Sequence, residues 1–352
     1  MTRNTSSKIE PGRFPIPRDR EAAVLHPDGK DVSVTNLRKV FFPETGATKG
    51  DLLQYYADVA PFLVPYMQDR AQVMKRYPNG AAGDFFYMKR TPSNAPPWLR
   101  TCSIEHGSGS VIAFPIIDDV ASLLWVINLG CIDLNEWYSR CDDTDRPDYL
   151  HFDLDPVKDG TASFATVRTV ALHVHEALAE LGIPAYAKTS GSSGIHVYVP
   201  IERGPRQKEV WTFAKAFAQT MERLHPDVIT AEYRIAKRPS GRVLVDYNQN
   251  AWGKTLASVY SVRAKPRATV STPVTWDEIA AGCEIEDFRL DNVRERFVEV
   301  GDLWAPMKKQ TGRLKLERFI APPAPGSRQK SRPDSRASGT GAAPGRAPTG
   351  SG

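Results

Sequence analysis

The spacing of apolar positions along the chain predicts a series of helices and short strands. Apolar residues recur at helical spacing in four stretches, which predicts helices at about residues 49–67, 120–129, 163–181 and 207–224. Apolar runs bounded by Gly, Pro and Asn predict strands at residues 31–35, 73–77, 85–89, 111–115, 149–153, 185–189, 195–201 and 242–247, with an extended stretch at 228–235. No segment repeats along the chain, so a repeat architecture is excluded.

The order of the elements in the second half indicates the fold class. From residue 149 onward the predicted order is β-α-β-β-α-β, which is typical of the split βαβ arrangement of ferredoxin-like folds. The earlier elements are expected to form a smaller α/β module packed against that sheet. We therefore predict an α+β domain at residues 31–322, with an N-terminal module at 31–147 and the main sheet at 148–322.

The two ends of the chain differ in composition from its body. Residues 1–30 are rich in Pro and charge without periodicity, and they are expected to be a flexible segment. Residues 323–352 contain almost no apolar side chain, which predicts a disordered basic tail. The net charge of the whole chain is +5, to which the tail contributes +4 and the first 30 residues +2, leaving −1 for the body. The overall basicity is therefore no argument for a polyanionic partner.

Composition excludes several classes of protein. The hydrophobic fraction of 41% supports a buried core. No apolar run approaches the roughly 18 residues of a membrane span, and the polar N-terminus does not resemble a secretory signal. The cysteines are widely spaced without a C-x-x-C pair, so they are expected to be reduced thiols of a cytoplasmic protein. They are Cys102, Cys131, Cys141 and Cys283.

Acidic residues at the ends of two predicted strands are the clearest chemical signal. Asp153 and Asp155 alternate on one strand, so their carboxylates lie side by side on one face, and Pro156 ends the strand. Two such charges are costly unless a cation lies between them, and hard oxygen ligands suit Mg²⁺ or Mn²⁺. Asp246 ends another apolar strand of the same predicted sheet and is expected to approach the pair. The alternative for Asp153 and Asp155 is two acids facing water at a strand end.

A Gly/Ser loop between two strands is a candidate phosphate site. In the loop Ser190, Gly191 and Ser192, successive backbone N–H groups can turn toward one anion. His196, at the start of the next strand, can add a donor to a phosphate oxygen. The alternative is an ordinary hairpin turn with a structural histidine.

The first half supplies basic and aromatic candidates. Lys39 and Lys49 flank a tight turn, and lysines in such a position can hold a terminal phosphate as point charges. Lys75 ends a predicted strand, and Phe85 and Phe86 could stack on bases. The alternative is that the lysines are solvated surface charges and the aromatics belong to the core.

Five segments together resemble the archaeo-eukaryotic primase superfamily, and most closely the polymerase domain of bacterial DNA ligase D. The resemblance extends from about residue 34 to residue 304 and implies a primase-polymerase fold with an RRM-like or ferredoxin-like catalytic sheet. The segments, in chain order, are residues 35–46, 75–80, 152–156, 189–196 and 245–250.

The resemblance also implies roles for individual residues. The metal-binding and catalytic carboxylates, which would hold two Mn²⁺ or Mg²⁺ ions, are Asp153, Asp155 and Asp246. The nucleotide-binding residues are Lys75, Ser190, Gly191, Ser192, His196, Arg238 and Arg263. Asn36, Lys39 and Lys49 match the pocket for the 5′-phosphate of the downstream strand, and Phe85 and Phe86 match a loop that contacts the template. Two positions depart from the family pattern. Family members often have a Lys at the position of Ser193 and a His at the position of Asn135. The loss of both bases in this chain would weaken the positive field around the triphosphate.

The implied activity is template-dependent nucleotidyl transfer from NTPs or dNTPs to DNA ends and gaps in non-homologous end joining. The implied partners are DNA ends and gapped duplex with a 5′-phosphate, together with Ku and a separate DNA ligase, and the implied location is the bacterial cytoplasm at the nucleoid, with no membrane. A second hypothesis is a non-catalytic module that binds 5′-phosphorylated ends and aligns them. A hydrolytic metallophosphoesterase is disfavoured because the histidine-rich ligand sets of such enzymes are missing.

Overall fold

The computed structural model of the chain describes residues 14–107 and 109–320. The predicted disordered tail and the first 13 residues lie outside these ranges. The four predicted helices are confirmed to within one residue at each end, and two short helices follow them. The helices are α1 (Lys49–Met67), α2 (Val120–Asn128), α3 (Phe164–Glu180), α4 (Gln207–Leu224), α5 (Trp276–Ala281) and α6 (Val293–Val300).

The strands are short and belong to five sheets within the described residues. Those of the first half are β1 (Ala22–Leu25), β2 (Val32–Thr35), β3 (Val40–Phe42), β4 (Ala47–Thr48), β5 (Gln72–Arg76), β6 (Phe86–Met88), β7 (Thr101–Glu105), β8 (Val111–Pro115) and β9 (Cys131–Trp137). Those of the second half are β10 (Tyr149–Pro156), β11 (Tyr186–Thr189), β12 (Ile195–Pro200), β13 (Ile229–Thr230), β14 (Val243–Asp246), β15 (Thr255–Ala257) and β16 (Pro273–Val274).

The main sheet has the predicted ferredoxin-like topology. Its strand order is β13-β14-β10-β12-β11-β16, so the last strand of the β-α-β-β-α-β unit lies beside the first. Along β10, Leu150, Phe152 and Leu154 are fully buried, and the Phe152 ring lies 4.8 Å from the Phe217 ring of α4. Because side chains alternate along a strand, Asp153 and the other polar residues of β10 face away from α4. The α+β prediction is confirmed.

A second sheet, in the order β15-β9-β5-β6, lies against the polar face of the main sheet. Lys188 of β11 donates a hydrogen bond from Nζ to the carbonyl of Ala257 in β15. β15 lies between β14 and β16 of the main sheet in the sequence but pairs with β9, which precedes all strands of that sheet. One continuous hydrophobic core therefore joins elements from both sides of residue 147, and α1 contributes Leu52 and Leu53 to it.

The N-terminal segment is structured from residue 14 onward. β1 pairs with β2, and Leu25 is buried together with Val32. Upstream, the backbone N–H of Ile16 donates to Gln54 Oε1 of α1. The expectation of a flexible segment at residues 1–30 is therefore wrong for residues 14–30, because a few apolar residues gain a partner strand that the local composition does not reveal.

The cysteines also depart from the expectation. Cys102 in β7 and Cys141 after β9 form a disulfide, with their Cα atoms 5.9 Å apart, whereas Cys131 and Cys283 are free. The prediction of four reduced thiols is wrong for the first pair, because 39 residues of chain separate two positions that packing in one hydrophobic cluster with Trp137 of β9 brings together. Among the described helices, none has both the length and the apolar character needed to cross a membrane.

Candidate active site

The three predicted carboxylates meet on the polar face of the main sheet. Asp153 lies directly opposite Asp246 in the antiparallel pair of β10 and β14. It also lies opposite His196 in the pair of β10 and β12. Directly opposed residues of antiparallel strands project to the same face with Cβ atoms about 5 Å apart, and Asp155 follows on that face two residues later. The sheet register thus brings together four side chains that are spread over 94 residues of sequence.

The electrostatics of this cluster disfavour three negative charges. Repulsion from Asp153, with burial, raises the pKa of Asp155 to about 6. Burial raises the pKa of Asp153 to about 6 as well, although Lys188 and Arg263 lower it. Burial and the charge of Asp153 also raise the pKa of Asp246. A cation between the carboxylates would remove this repulsion.

The cluster has the oxygen donors that a hard divalent cation prefers, but the side chains are not yet turned toward one point. Asp153 Oδ1 is buried without a hydrogen-bond partner; His196 Nε2 lies 3.2 Å away but is not aligned for a bond. Asp155 Oδ1 accepts a hydrogen bond from Ser193 Oγ at 3.1 Å. The oxygens of Asp246 accept hydrogen bonds from the backbone N–H of Asn248 and from the Gln249 amide.

In the part of the chain that the structure describes, no group of three or more His, Cys, Asp or Glu side chains is arranged to hold a metal ion. The residues fit Mg²⁺ or Mn²⁺ in the type of donor. Asp155 and Asp246 could keep their hydrogen bonds while sharing an ion with Asp153, because carboxylates that bind metals are commonly hydrogen-bonded as well.

The Gly/Ser loop differs from the expected phosphate nest. Ser190 Oγ accepts hydrogen bonds from the backbone N–H groups of Ser192, Ser193 and Gly194, at 3.1, 3.2 and 2.9 Å. These three donors therefore close the loop on itself and do not point at an open site. The expectation that the loop cradles an anion stays a prediction, and in this conformation a serine at the start of the loop supplies the acceptor itself.

Two glycines hold this loop close to the carboxylates. A Cβ at Gly194 would lie 2.3 Å from the carbonyl oxygen of Leu154 and 2.6 Å from Asp155 Oδ1. Gly191 has a φ of +65°, and a Cβ there would lie 2.8 Å from Cγ of Arg263. Arg263 in turn donates from Nη1 to the carbonyl of Ser190. Only glycine permits both approaches, so the loop lies between the end of β10 and Arg263.

A buried carboxylate that the sequence analysis did not select links two of the predicted nucleotide-binding cations. Asp133 of β9 lies opposite Lys75 of β5, and Lys75 Nζ is 3.1 Å from Asp133 Oδ2. The other oxygen accepts from the backbone N–H of Ala264 at 3.0 Å and lies 3.6 Å from Arg263 Nε. The available signal was an acid within an apolar strand, since such residues are rarely buried unless paired.

Lys188 is the second residue that the sequence analysis did not select. It is fully buried in β11, directly opposite His196 of β12. Its position within an apolar strand was again the available signal. Arg238, by contrast, donates to the carbonyls of Glu232 and Tyr233 and lowers the pKa of Asp246 by its charge, so it lies at the other end of the cluster.

The three residues predicted to hold a 5′-phosphate line one pocket of about 290 Å³, and Arg76 joins them there. Asn36, the first of the three, has a φ of +57° in the turn that precedes Lys39. Lys49 is buried, and its Nζ donates to the Thr35 carbonyl and to Asn128 Oδ1, both at 2.7 Å. Burial, followed by the charges of Lys39 and Arg76, lowers the pKa of Lys49 to about 8. An anion in this pocket would offset that repulsion.

The two aromatic residues of the predicted template loop are exposed, which excludes the alternative that they belong to the core. Phe85 and Phe86 are 49% and 45% exposed. Lys75 Nζ lies 4.2 Å from the centre of the Phe85 ring, and the Arg76 guanidinium lies 5.2 Å from that of Phe86. Exposed rings beside cations form a surface on which bases can stack.

The two positions that depart from the family pattern are both engaged in local hydrogen bonds. Ser193 donates to Asp155, as described above, and Asn135 Nδ2 donates to the carbonyl of Asp133 at 3.1 Å. Neither side chain adds positive charge at the site.

Comparisons with known proteins show which family the chain is similar to. The sequence matches the family described as LigD, primase-polymerase domain, over residues 48–304. The multifunctional non-homologous end joining protein LigD of Mycolicibacterium smegmatis is 35% identical over 288 residues, which cover 80% of this chain and 37% of that protein. The bifunctional non-homologous end joining protein LigD of Bacillus subtilis is 29% identical over 283 residues, covering 80% of this chain and 44% of that protein. The chain thus spans less than half of the length of these curated relatives.

A solved structure is similar over nearly its whole length. The polymerase domain from Mycobacterium tuberculosis ligase D, determined in complex with DNA, superposes with a TM-score of 0.73 at 31% sequence identity. The superposition covers 79% of this chain and 98% of that structure.

Proposed function

The chain belongs to the family of LigD primase-polymerase domains, as the resemblance predicted, and from this we propose that it is a template-dependent nucleotidyltransferase of DNA end joining. The substrates would be an NTP or dNTP and a gapped or broken duplex with a 5′-phosphate. Ku and a separate DNA ligase are the proposed partners. The observation that carries the proposal is the meeting of Asp153, Asp155 and Asp246 on one face of the sheet, beside His196.

The proposed reaction is the attack of a primer 3′-hydroxyl on the α-phosphate of the nucleotide, with release of pyrophosphate. Two divalent ions held by the three carboxylates would lower the pKa of the hydroxyl and take up charge on the leaving group. Asp153 is the carboxylate best placed to serve both ions, because it lies between Asp246 and Asp155 on the sheet.

The hydrogen-bond donors around the carboxylates would bind the triphosphate. His196 faces Asp153, and Arg263 and Lys75 are held close by through Asp133. These side chains are already held by hydrogen bonds and ion pairs before any ligand binds. They would therefore lose little rotamer entropy when they bind the phosphates. Ser190 would act indirectly, by closing the loop that presses on β10.

The DNA would lie across the N-terminal half. The pocket of Asn36, Lys39 and Lys49 would hold the 5′-phosphate of the downstream strand, and Phe85 and Phe86 would stack on the template. The related structure determined in complex with DNA supports a DNA substrate for this chain.

Primer extension on a 5′-phosphorylated gapped duplex with Mn²⁺ tests the proposal. We expect Asp153→Asn to lower extension more than about 100-fold, because even residues that only orient metal ligands commonly cost about 10- to 100-fold. Asp227→Asn, at an exposed aspartate in the turn that follows α4, is the matched control and should extend like the wild type. Unchanged extension by Asp153→Asn would refute the catalytic assignment.

A second candidate function, a non-catalytic module that binds 5′-phosphorylated ends, is favoured by the basic pocket alone. A 5′-phosphate carries a charge of about −2 near neutral pH, so removing it should weaken binding and reduce its salt dependence. If the wild type binds phosphorylated gaps selectively but never extends a primer, this function replaces the polymerase. Equal affinity for both gaps would exclude it.

A further inference from the structure

Lys188 is a charged side chain in a place where lysine is rarely found. It has no exposed surface, and its neighbours along β11, Ala187 and Thr189, are buried as well. A lysine costs several kcal/mol to bury unless its ammonium donors all find acceptors, so its contacts should reveal why it is there.

Three acceptors surround the Lys188 ammonium. Nζ lies 2.6 Å from Ser271 Oγ, 2.8 Å from His196 Nδ1 and 2.9 Å from the carbonyl oxygen of Ala257. Ser271 Oγ donates its own proton to the carbonyl of Thr189 at 2.8 Å, so it can only accept from Lys188. The Ala257 carbonyl has no proton to give. The third ammonium proton therefore goes to Nδ1 of His196.

This contact determines which ring nitrogen of His196 carries the proton. A ring nitrogen that accepts a hydrogen bond from the Lys188 ammonium carries no proton of its own, so the imidazole is neutral. A neutral imidazole whose Nδ1 accepts a hydrogen bond carries its proton on Nε2. Nε2 is the nitrogen that lies 3.2 Å from Asp153 Oδ1, on the side of the carboxylates.

The sheet register makes the arrangement rigid. Lys188, His196 and Asp153 are opposed residues on three adjacent strands, β11, β12 and β10. Burial, together with the charge of Arg263, lowers the pKa of Lys188 to about 7, while the carboxylates of Glu136 and Asp153 raise it. Those two carboxylates favour the ammonium form, the one that has three protons to donate.

We propose that Lys188 is a positioning residue that locks His196 in its Nε2–H tautomer and so presents an N–H donor to the triphosphate of the bound nucleotide. This inference rests on the proposed function for the identity of the ligand. Lys188 itself touches no substrate, because His196 and the strand backbone separate it from the carboxylate cluster. The sequence analysis assigned no role to this lysine.

Nitrogen-15 NMR of the histidine side chains tests the tautomer directly. The wild-type protein is used without nucleotide, and the His196 signals are assigned by their loss in His196→Gln. We expect a protonated Nε2 and an unprotonated Nδ1. A protonated Nδ1 would overturn the proposal, because it would mean that a neutral Lys188 amine accepts from the ring. This measurement needs no catalytic activity, so it stands even if the polymerase function fails.

Steady-state extension with Lys188→Met tests the functional consequence. Loss of a hydrogen bond that involves a charged group should raise KM for the nucleotide about 10-fold or more, and the spectrum should show the proton moving partly to Nδ1. In a His196→Gln background the same substitution should change KM less than about twofold, because Lys188 acts only through the ring. Lys208→Met, on the exposed face of α4, is the matched control.

The outcomes separate the two proposals. An active wild type in which Lys188→Met leaves KM and the tautomer unchanged would refute the role of Lys188 and leave the polymerase assignment intact. An equal rise of KM in both backgrounds would also refute it. If Lys188→Met does not fold, the wild-type tautomer still decides.

Discussion

One methyl group at Gly194 would separate the Gly/Ser loop from the carboxylate cluster. In Gly194→Ala the new Cβ would lie 2.3 Å from the Leu154 carbonyl oxygen, whereas ordinary van der Waals contact begins at 3.4 Å. The loop and the end of β10 would therefore have to move apart by about 1 Å. Displacing groups around a reacting centre by about 1 Å can cost about 100-fold in rate, while such overpacking costs only about 1–3 kcal/mol of stability.

The assay is nucleotide extension on a gapped duplex, read together with thermal unfolding. We expect kcat/KM to fall about 100-fold in Gly194→Ala. The melting temperature should fall by only about 2–4 °C per kcal/mol, as for domains of about 150–250 residues. Gly107→Ala is the matched control, because no atom lies within 4 Å of a Cβ built at Gly107. Wild-type extension by Gly194→Ala would refute the inferred link between the loop and the site, and an equal loss in Gly107→Ala would indicate general damage.

Three further substitutions test separate parts of the structure. Repulsion from the neighbouring carboxylate, with burial, raises the pKa of Asp155 from 3.8 to about 6, so its ionisation weakens the metal-free fold progressively between these pH values and fully above them. In EDTA near neutral pH, Asp155→Asn should therefore be more stable than the wild type by up to about 3 kcal/mol, and this difference should disappear as the pH falls toward 4. Equal urea midpoints of the two proteins at neutral pH would contradict this. Cys102→Ser should lower the free energy of unfolding by about 3–4 kcal/mol under oxidising conditions only, because the disulfide closes a loop of 39 residues. A loss of stability that persists in reductant would argue for packing instead. Asp133→Asn should lower the free energy of unfolding by about 3–5 kcal/mol and raise KM for the nucleotide, because Lys75 and Arg263 lose their shared carboxylate. Urea unfolding and primer extension measure the two effects, and an unchanged KM would exclude a positioning role.

The helices and the ferredoxin-like order were predictable because their signals are local. The helical period of α1, α3 and α4 extends over four or more turns, and α1 also begins with a capping box of Thr48 and Asp51. The acids of β10 and β14 were predictable for the same reason, since each ends an apolar strand.

The short and distant pairings were not predictable. Several strands are only two to five residues long, which is too short to show a hydrophobic period in the sequence. They are β1, β3, β4 and β7. β9 and β15 form one sheet across a gap of more than 100 residues. The disulfide has the same origin, because nothing in the spacing of the cysteines indicates which two are adjacent in space.

The amino-acid sequence by itself was sufficient to indicate the fold class and the kind of chemistry. It contains the residue types, the helical periods and the acids at strand ends, which are Asp153, Asp155 and Asp246. The register between β10, β12 and β14 placed the three acids and His196 on one face, and burial then raised the pKa values of the acids. The roles inferred for Lys188 and Asp133 followed from contacts between segments that are distant along the chain. The closing of the loop on Ser190 Oγ followed from a local turn conformation. Long-range strand pairing depends on the joint packing of many side chains and not on any one segment, so these features became visible only when the chain was folded.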